Sequence, residues 1–326
     1  MIKISHFSDA QQHGDAIRGW RNHYYQLTPG KLDSSLAEIV VTDMHVFREH
    51  FSHEVAQFGT SPTGAISFAL PSVEAATPKA IDSRARCSLY AISNGAEFTL
   101  HVGRGADTLV LVVDAEQWWD AVQAAHPTQS PRQYPGGLVR CDTQAYPEAT
   151  RRLRQHFEAA LSSPLMPEVA GVQKVFRDSM LCTLLDLRPG ETDQRGDFLG
   201  KAVRADVVRR SRDLVLSAAG EPVTVLDICR ACRLSRRAIQ TIFLRETGVT
   251  PLVYLRAIRL NEVRIRLMSS ARDDLAIGDL AARFGFYHLS HFAADYRSLF
   301  GELPSETPRR AAAVCRLRRP TRQYLS

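Results

Sequence analysis

The chain of 326 residues contains no long apolar run. No stretch approaches the roughly 18 consecutive apolar residues that a membrane-spanning helix needs, so no membrane association is expected. The N-terminal sequence lacks the basic and then apolar order of a secretory signal peptide, which favours a cytoplasmic location. Apolar residues make up 44% and charged residues 23% of the chain, as is typical of a globular protein and not of a disordered one.

Cysteine is too sparse for a fold held together by disulfides. Six cysteines are scattered along the chain, a pattern that favours reduced thiols. Two residues separate Cys229 from Cys232, as in many zinc sites, but no second pair of ligands follows at the spacing of a zinc site. We therefore interpret both as core residues.

Lysine is nearly absent from the C-terminal part. From Lys201 onwards there are 23 Lys and Arg residues, of which 22 are Arg, against 12 Asp and Glu. The formal net charge is +11 in this segment and −5 in the first 200 residues, which together give the +6 of the chain. This asymmetry favours a C-terminal half that binds a polyanion. Arg suits phosphate and guanine, although a GC-rich genome also favours it.

The length is comfortable for two domains, and the sequence pattern changes along the chain. Short strands separated by turns are predicted up to residue 114, and Asn94-Gly95 predicts a two-residue hairpin. Helices are predicted at 115–125, 147–161 and 167–187. A polar stretch then predicts a linker at 189–200, between a domain at 1–188 and a second domain at 201–326.

The third predicted helix has a single apolar stripe, with spacings of three or four residues. Such a stripe predicts either the surface of a homodimer or a face that packs against its own domain, and the sequence leaves both open. The stripe consists of Val169, Val172, Phe176, Met180, Leu184 and Leu187.

The basic half contains an internal repeat. Leu234 matches Phe286 at an offset of 52 residues, and Gly248 matches Gly301 at an offset of 53. The one-residue difference is tolerable in a turn. Each copy therefore predicts a short helix, a turn and a second helix that ends at glycine, which is the pattern of a helix-turn-helix unit. The units are predicted at about 223–247 and 275–300, joined by a helix at about 251–269.

Helical periodicity leaves a mostly polar set exposed at the start of each second helix. Side chains at this place read bases when such a helix lies in the major groove. A generic helical bundle with a solvated Arg face is the alternative. The base-contact candidates are Arg236, Arg237, Gln240 and Thr241 in the first copy, and His288, Leu289, Ser290 and His291 in the second. The phosphate candidates are Arg245, Arg256, Arg259 and Arg297.

The run from Gly285 to Phe292, with Tyr296, Gly301 and Pro304, resembles the signature of AraC/XylS-type transcription regulators. The resemblance covers 223–308. It implies that both second helices enter adjacent major grooves of promoter DNA, and that the chain is an activator that meets RNA polymerase. It also implies base contacts by Arg237, Gln240 and Thr241, and by Leu289, Ser290 and His291. Ala294 stands where some members have a base-contacting Arg, which predicts weaker direct readout by the second helix.

The N-terminal segment from Tyr25 to Gly30, followed by strands, is similar to the cupin-like effector-binding domain of several AraC-type regulators. The expected fold is therefore α+β. It has an N-terminal cupin-like antiparallel β-barrel with dimerisation helices and a C-terminal all-α domain with two helix-turn-helix units. The resemblance implies a small-molecule effector, of unknown identity, and a homodimer. Pocket candidates, which are equally good core candidates, are Phe51, Phe68, Tyr90, Trp118 and Trp119.

The sequence therefore predicts an effector-responsive regulator that is not an enzyme and needs no cofactor. Two alternatives to this prediction stay open. One is a regulator whose barrel binds no effector. The other is a metal-dependent cupin enzyme with an added helical module, since His45, Glu49 and His53 are close in sequence. The chain has no His-x-His pair of the kind common in metal cupins, so no metal site is expected.

Overall fold

The structure is a computed structural model. It describes residues 1–72, 87–125, 137–141, 144–187, 196–218, 221–269 and 276–307. The chain divides into two compact units, of which the first consists of Met1–Tyr24 and Leu32–Lys201 and the second of Tyr25–Lys31 and Ala202–Ser326. Residues 189–195 of the predicted linker lie outside the described residues, and its remaining residues, 196–200, are helical. No helix of the described parts is long and apolar enough to cross a membrane.

The first unit is mixed α/β, as the sequence predicts. Its helices in the described residues are α1 (Ala10–Ala16), α2 (Ala115–Ala125), α3 (Ala145–Ser162) and α4 (Ala170–Leu185). Its strands are β1 (Ile2–Phe7), β2 (Arg21–Gln26), β3 (Ser34–Val41), β4 (Met44–Phe51), β5 (Val55–Thr60), β6 (Ala65–Pro71), β7 (Ser88–Ser93), β8 (Glu97–Val102), β9 (Ala106–Asp114) and β10 (Gly137–Arg140).

These strands form two sheets rather than one hydrogen-bonded ring. The larger sheet has the order β1-β3-β4-β9-β6-β7-β10, and the smaller one has the order β2-β5-β8. Alternate residues of a strand face opposite sides of its sheet. Leu109 and Leu111 of β9 therefore lie in a core shared with α2, α3 and α4, whereas Val110 and Val112 lie in a second core with Tyr24.

The Asn94-Gly95 turn forms as predicted, but the hairpin prediction is wrong. Both residues have a positive φ, of 45° and 71°. The flanking strands lie in different sheets, because β7 pairs with β6 and β10 while β8 pairs with β5. The turn is held instead by its surroundings, since the backbone N–H of Gly95 donates to Pro62 O at 3.2 Å and that of Gly64 donates to Asn94 Oδ1 at 3.0 Å.

The second unit is helical. Its helices are α5 (Gly196–Ser217), α6 (Val225–Cys232), α7 (Arg236–Thr247), α8 (Pro251–Ser269), α9 (Ile277–Arg283) and α10 (Leu289–Phe300). The residues of α5 up to Lys201 are counted with the first unit. The core contains fully buried aromatic rings from three of the helices, Phe243, Tyr254 and Tyr296. Helix α6 begins with a capping box, in which Thr224 and Asp227 each bond the other's backbone N–H.

A short segment from the N-terminal half of the sequence, Tyr25–Lys31, is part of the second unit. The backbone N–H of Gln26 donates to Asn261 Oδ1 at 3.0 Å, and Asn261 Nδ2 donates back to Gln26 O at 2.9 Å. The Gln26 side-chain amide also donates to Leu299 O at 2.7 Å, near the end of α10. The segment that resembles an effector-binding domain in sequence thus packs on the helices of the second unit.

Candidate nucleic-acid interface

The two helix-turn-helix units share their backbone as well as their sequence pattern. Arg233, after α6, and Gly285, after α9, are both left-handed, with φ of 54° and 76°. The second helices end at Gly248 and Gly301, which have φ of 74° and 72°. Helix α7 begins two residues after Leu234 and α10 begins three residues after the matching Phe286, so the extra residue lies in the second turn.

Helix α7 exposes the predicted base-contact set on one side. Ser235 is its N-cap, and Ser235 Oγ accepts from the backbone N–H of Ala238 at 3.2 Å. Ile239 and Phe243 are fully buried and fix which side of the helix faces inward. The predicted side chains of Arg236, Arg237, Gln240 and Thr241 are all exposed.

The start of helix α10 presents a less basic and more apolar surface. His288, Leu289, Ser290 and His291 are all exposed, and Leu289 keeps 54% of its surface accessible. Ala294 is exposed on the next turn and offers only a methyl group. Tyr287 lies directly before this set with 63% exposure. The sequence reasoning missed Tyr287, although an aromatic residue next to a polar helix start is a usable signal.

The four phosphate candidates differ in their surroundings. Arg245 and Arg297 are exposed. Arg256 is exposed and forms an ion pair with Asp295 at 3.2 Å. Arg259 differs, because its guanidinium lies 5.1 Å from the centre of the Phe286 ring and burial lowers its pKa. Arg259 therefore packs on the second turn, and its role as a phosphate ligand stays a prediction.

Part of the Arg surplus is internal to the unit. Arg264 is buried on α8 and forms an ion pair with Glu302 at 2.7 Å. Its guanidinium also lies 4.6 Å from the centre of the Phe300 ring. Arg204 pairs with Glu246 at 2.6 Å. These arginines support the fold, so the +11 of the sequence overstates the charge available to a polyanion.

The predicted dimer stripe lies mainly inside the first unit. Phe176, Met180, Leu184 and Leu187 belong to the core that α4 shares with the larger sheet, and Met180 has 0% exposure. A second chain cannot reach these four side chains, so the dimer assignment does not hold for them. Val172 is partly buried against the same core and Val169 is exposed. The outward side of α4 exposes Val175 instead, at 67%.

A cavity lies in the first unit, on the face of the larger sheet that is turned away from α2, α3 and α4. Its volume is about 620 Å³, including the part open to solvent. Among the predicted pocket candidates, Tyr90 lines it. Phe68 and Trp118 pack against each other in the core on the helical side, with ring centres 4.7 Å apart. The remaining lining residues are Trp20, Tyr24, Phe47, Glu49, Gln57, Ser67, Ala69, Pro71, Ile92, Phe98, Leu100, His101, Val102, Thr108 and Val110.

The histidines and acids of β4 pair with separate partners. Glu49 Oε1 lies 3.2 Å from His13 Nε2 and accepts from the Tyr24 hydroxyl at 3.1 Å. His45 Nε2 lies 3.2 Å from Glu38 Oε1. Within the residues that the structure describes, no group of three or more His, Cys, Asp or Glu side chains is arranged to hold a metal ion.

Residues 228–310 match a family model described as a helix-turn-helix domain. One similar protein is the XylDLEGF operon transcriptional activator 3 of Pseudomonas putida, 40% identical over 90 residues, which are 28% of this chain and 27% of that protein. Another is the probable thc operon regulatory protein of Rhodococcus erythropolis, 33% identical over 100 residues, which are 31% of this chain and 30% of that protein. The chain thus matches less than a third of the length of either relative.

Two solved structures are also similar to this chain. An AraC-type DNA-binding protein from Chromobacterium violaceum is 26% identical, with 34% of this chain and 96% of that one covered and a TM-score of 0.31. ToxT from Vibrio cholerae is 13% identical, with 94% of this chain and 96% of that one covered and a TM-score of 0.30.

Proposed function

We propose that the chain is a transcription regulator that binds promoter DNA sequence-specifically, because residues 228–310 match a helix-turn-helix domain model and part of the chain is similar to an operon transcriptional activator. The observation that supports this most is the exposed side of α7. Arg237 and Gln240 are among its exposed residues, and Arg and Gln pair bidentately with guanine and adenine. With α7 and α10 in successive major grooves, the site would contain two half-sites about 10 base pairs apart.

The two second helices would contribute unequally. The start of α7 exposes Arg236, Arg237 and Gln240, whereas the start of α10 exposes Leu289, Ser290 and His291. Leu289 is suited to contact with a thymine methyl group. We therefore expect α7 to supply most of the hydrogen-bonded base readout and α10 to supply apolar contacts and position on the backbone.

Activation is the proposed direction of regulation. The two relatives reported above are named as an operon activator and an operon regulatory protein. Contact with RNA polymerase follows as part of this proposal, as does a cytoplasmic location. The regulatory names of the relatives also favour a regulator over a cupin enzyme.

The first unit would bind a small-molecule effector in its cavity. A largely apolar cavity with a few polar groups is the common form of a ligand site. The effector would act by binding two conformations of the chain unequally. An effector-independent regulator is the competing proposal, and ligand binding to the cavity separates the two.

A homodimer is proposed through the outward side of α4 instead of its buried stripe. Val175 on α4 and Leu165 in the turn before it expose 67% and 54% of their surfaces, and the N-cap residue Val169 is also exposed. Exposed apolar residues in one region favour a protein contact.

The test of DNA binding is selection from a random DNA library with the full chain, followed by footprinting of the enriched sequence. We expect one enriched motif with two half-sites about 10 base pairs apart, and protection of both. Selection without enrichment, or a footprint over a single half-site, would contradict the proposal. A matched variant, Arg237→Ala, should lose preference in the half-site that α7 reads.

A further inference from the structure

We propose that the cavity of the first unit binds a small uncharged aromatic molecule that bears a hydrogen-bond acceptor, such as an amide or ketone oxygen. The role of this molecule as an effector rests on the proposed function, but its binding does not. The inference comes from three properties of the cavity: its aromatic walls, its unpaired donors and its buried acidic residue.

The walls of the cavity are aromatic on several sides. Trp20 packs edge-on against Phe47 and Phe98, with ring centres 6.3 Å and 5.3 Å apart. Tyr24 and Tyr90 also line the cavity. Aromatic rings favour stacked or edge-to-face contact with another ring. A flat apolar ring is therefore the body that fits these walls.

Three hydrogen-bond donors at the cavity have no hydrogen-bond partner among the residues that the structure describes. They are Gln57 Nε2, the Ser67 hydroxyl and Trp20 Nε1, and each of these atoms is buried. Gln57 and Ser67 are only 3% and 1% exposed. Buried polar groups are almost always hydrogen-bonded, because an unpaired one loses its hydration without replacement. A ligand with an acceptor oxygen would supply what these donors lack.

Charge at the cavity disfavours an anion. Glu49 is a buried lining residue whose Oε1 accepts from the Tyr24 hydroxyl and lies beside His13 Nε2. None of the described residues that line the cavity is Lys or Arg. A carboxylate ligand would meet the buried Glu49 without a lining Lys or Arg to compensate its charge. Since Glu49 already has two partners, it does not call for a cationic ligand either.

The experiment compares four probes that share one ring and differ in one group: benzamide, benzoate, benzylamine and toluene. Binding to the full chain is measured by calorimetry. We expect benzamide to bind most tightly, and toluene to bind more weakly by about 2- to 13-fold, the range for one lost hydrogen bond. Benzoate or benzylamine binding as tightly as benzamide, or no binding of any probe, would overturn the proposal.

Variants locate the binding in the cavity. Ser67→Ala and Gln57→Leu should each weaken benzamide by about 2- to 13-fold and leave toluene unchanged. Ser88→Ala is the matched control, since Ser88 is also a buried serine of the larger sheet with an unpaired hydroxyl but does not line the cavity. The proposal is overturned if Ser67→Ala weakens benzamide no more than Ser88→Ala does.

A DNA arm separates this inference from the proposed function. Affinity for the selected DNA is measured with and without saturating benzamide. Benzamide that binds through Ser67 supports the cavity assignment whether or not the chain selects a DNA motif. Failure to select DNA, by contrast, contradicts the proposed function alone.

Discussion

Arg233 and Gly285 occupy matching positions in the two helix-turn-helix units, and both have a left-handed backbone, with φ of 54° and 76°. Only Gly285 is a glycine, so the same backbone turn is strained in the first helix-turn-helix unit and relaxed in the second. At Gly285 a side chain would also meet Pro222, because an added Cβ would lie 2.7 Å from Pro222 Cβ.

This asymmetry predicts unequal effects of two substitutions. Gly285→Ala should destabilise the second unit by about 2–5 kcal/mol, from backbone strain and the clash with Pro222. Arg233→Gly should change its stability by less than about 1 kcal/mol, since relief of strain opposes the added flexibility of the unfolded chain. Urea unfolding followed by circular dichroism measures both, and an equal loss in the two variants would contradict the assignment of the turns.

Tryptophan fluorescence offers a control for these measurements. All three tryptophans, Trp20, Trp118 and Trp119, lie in the first unit. A loss of helical signal that precedes the fluorescence change therefore assigns the destabilisation to the second unit.

The two classes of arginine predict different salt dependences of DNA binding. Arg245 is exposed, and its loss should lower the slope of log affinity against log salt concentration by about 0.9, the value for one phosphate contact. Arg259→Met should leave the slope unchanged and lower the stability of the unit, because Arg259 packs on Phe286. Binding titrations at several salt concentrations check this. A reduced slope for Arg259→Met, with stability intact, would instead identify Arg259 as a phosphate ligand.

The capping box predicts a pH dependence. Hydrogen bonds from Thr224 hold the pKa of Asp227 below its ordinary value of 3.8. A lowered pKa in the folded state stabilises the fold above pH 3.8, and this contribution is lost as the pH falls through the folded-state pKa. The difference in unfolding free energy between the wild type and Asp227→Asn should therefore shrink as the medium is acidified below that value.

Asp279 is the matched control for Asp227. It takes the place of Asp227 in the second unit, but the N-cap there is Ala276, whose side chain makes no capping bond. Asp279→Asn should cost less stability than Asp227→Asn, because no capping box is present there to be broken. A loss of stability as large for Asp279→Asn as for Asp227→Asn would contradict the role of the box.

The revised view of α4 predicts a separation of folding from association. Met180→Ala should destabilise the first unit by about 2–5 kcal/mol, as expected for a fully buried side chain, without changing the oligomeric state of the folded chain. Val175→Glu should keep the stability and weaken the dimer. Analytical ultracentrifugation of both variants tests this. A dimer that survives Val175→Glu would remove the outward side of α4 as its interface.

The sequence was most informative where structure is local. The glycines that end the second helices and the one-residue difference between the two turns depend on neighbours a few positions apart. The exposed side of α7 followed from the same periodicity, because burial of Ile239 and Phe243 leaves the other side of the helix outside.

Features that depend on distant partners were not predictable in this way. The strands on either side of Asn94 pair with β5, β6 and β10, and nothing near the turn encodes those partners. Arg259 is a surface residue by periodicity, and its ring partner Phe286 comes from the turn between α9 and α10. Gln26 is bound by Asn261, more than 200 residues away. The apolar stripe of α4 left two interpretations open until its burial was known.

Base readout by Arg237 of α7 is tested most directly by one comparison of DNA affinities. The affinities of the wild type and Arg237→Ala are compared on the selected DNA and on random DNA at the same salt concentration. A base contact predicts a loss of about 1–3 kcal/mol on the selected DNA and little change on random DNA. An equal loss on both would show that Arg237 contacts phosphate only, and would contradict the account.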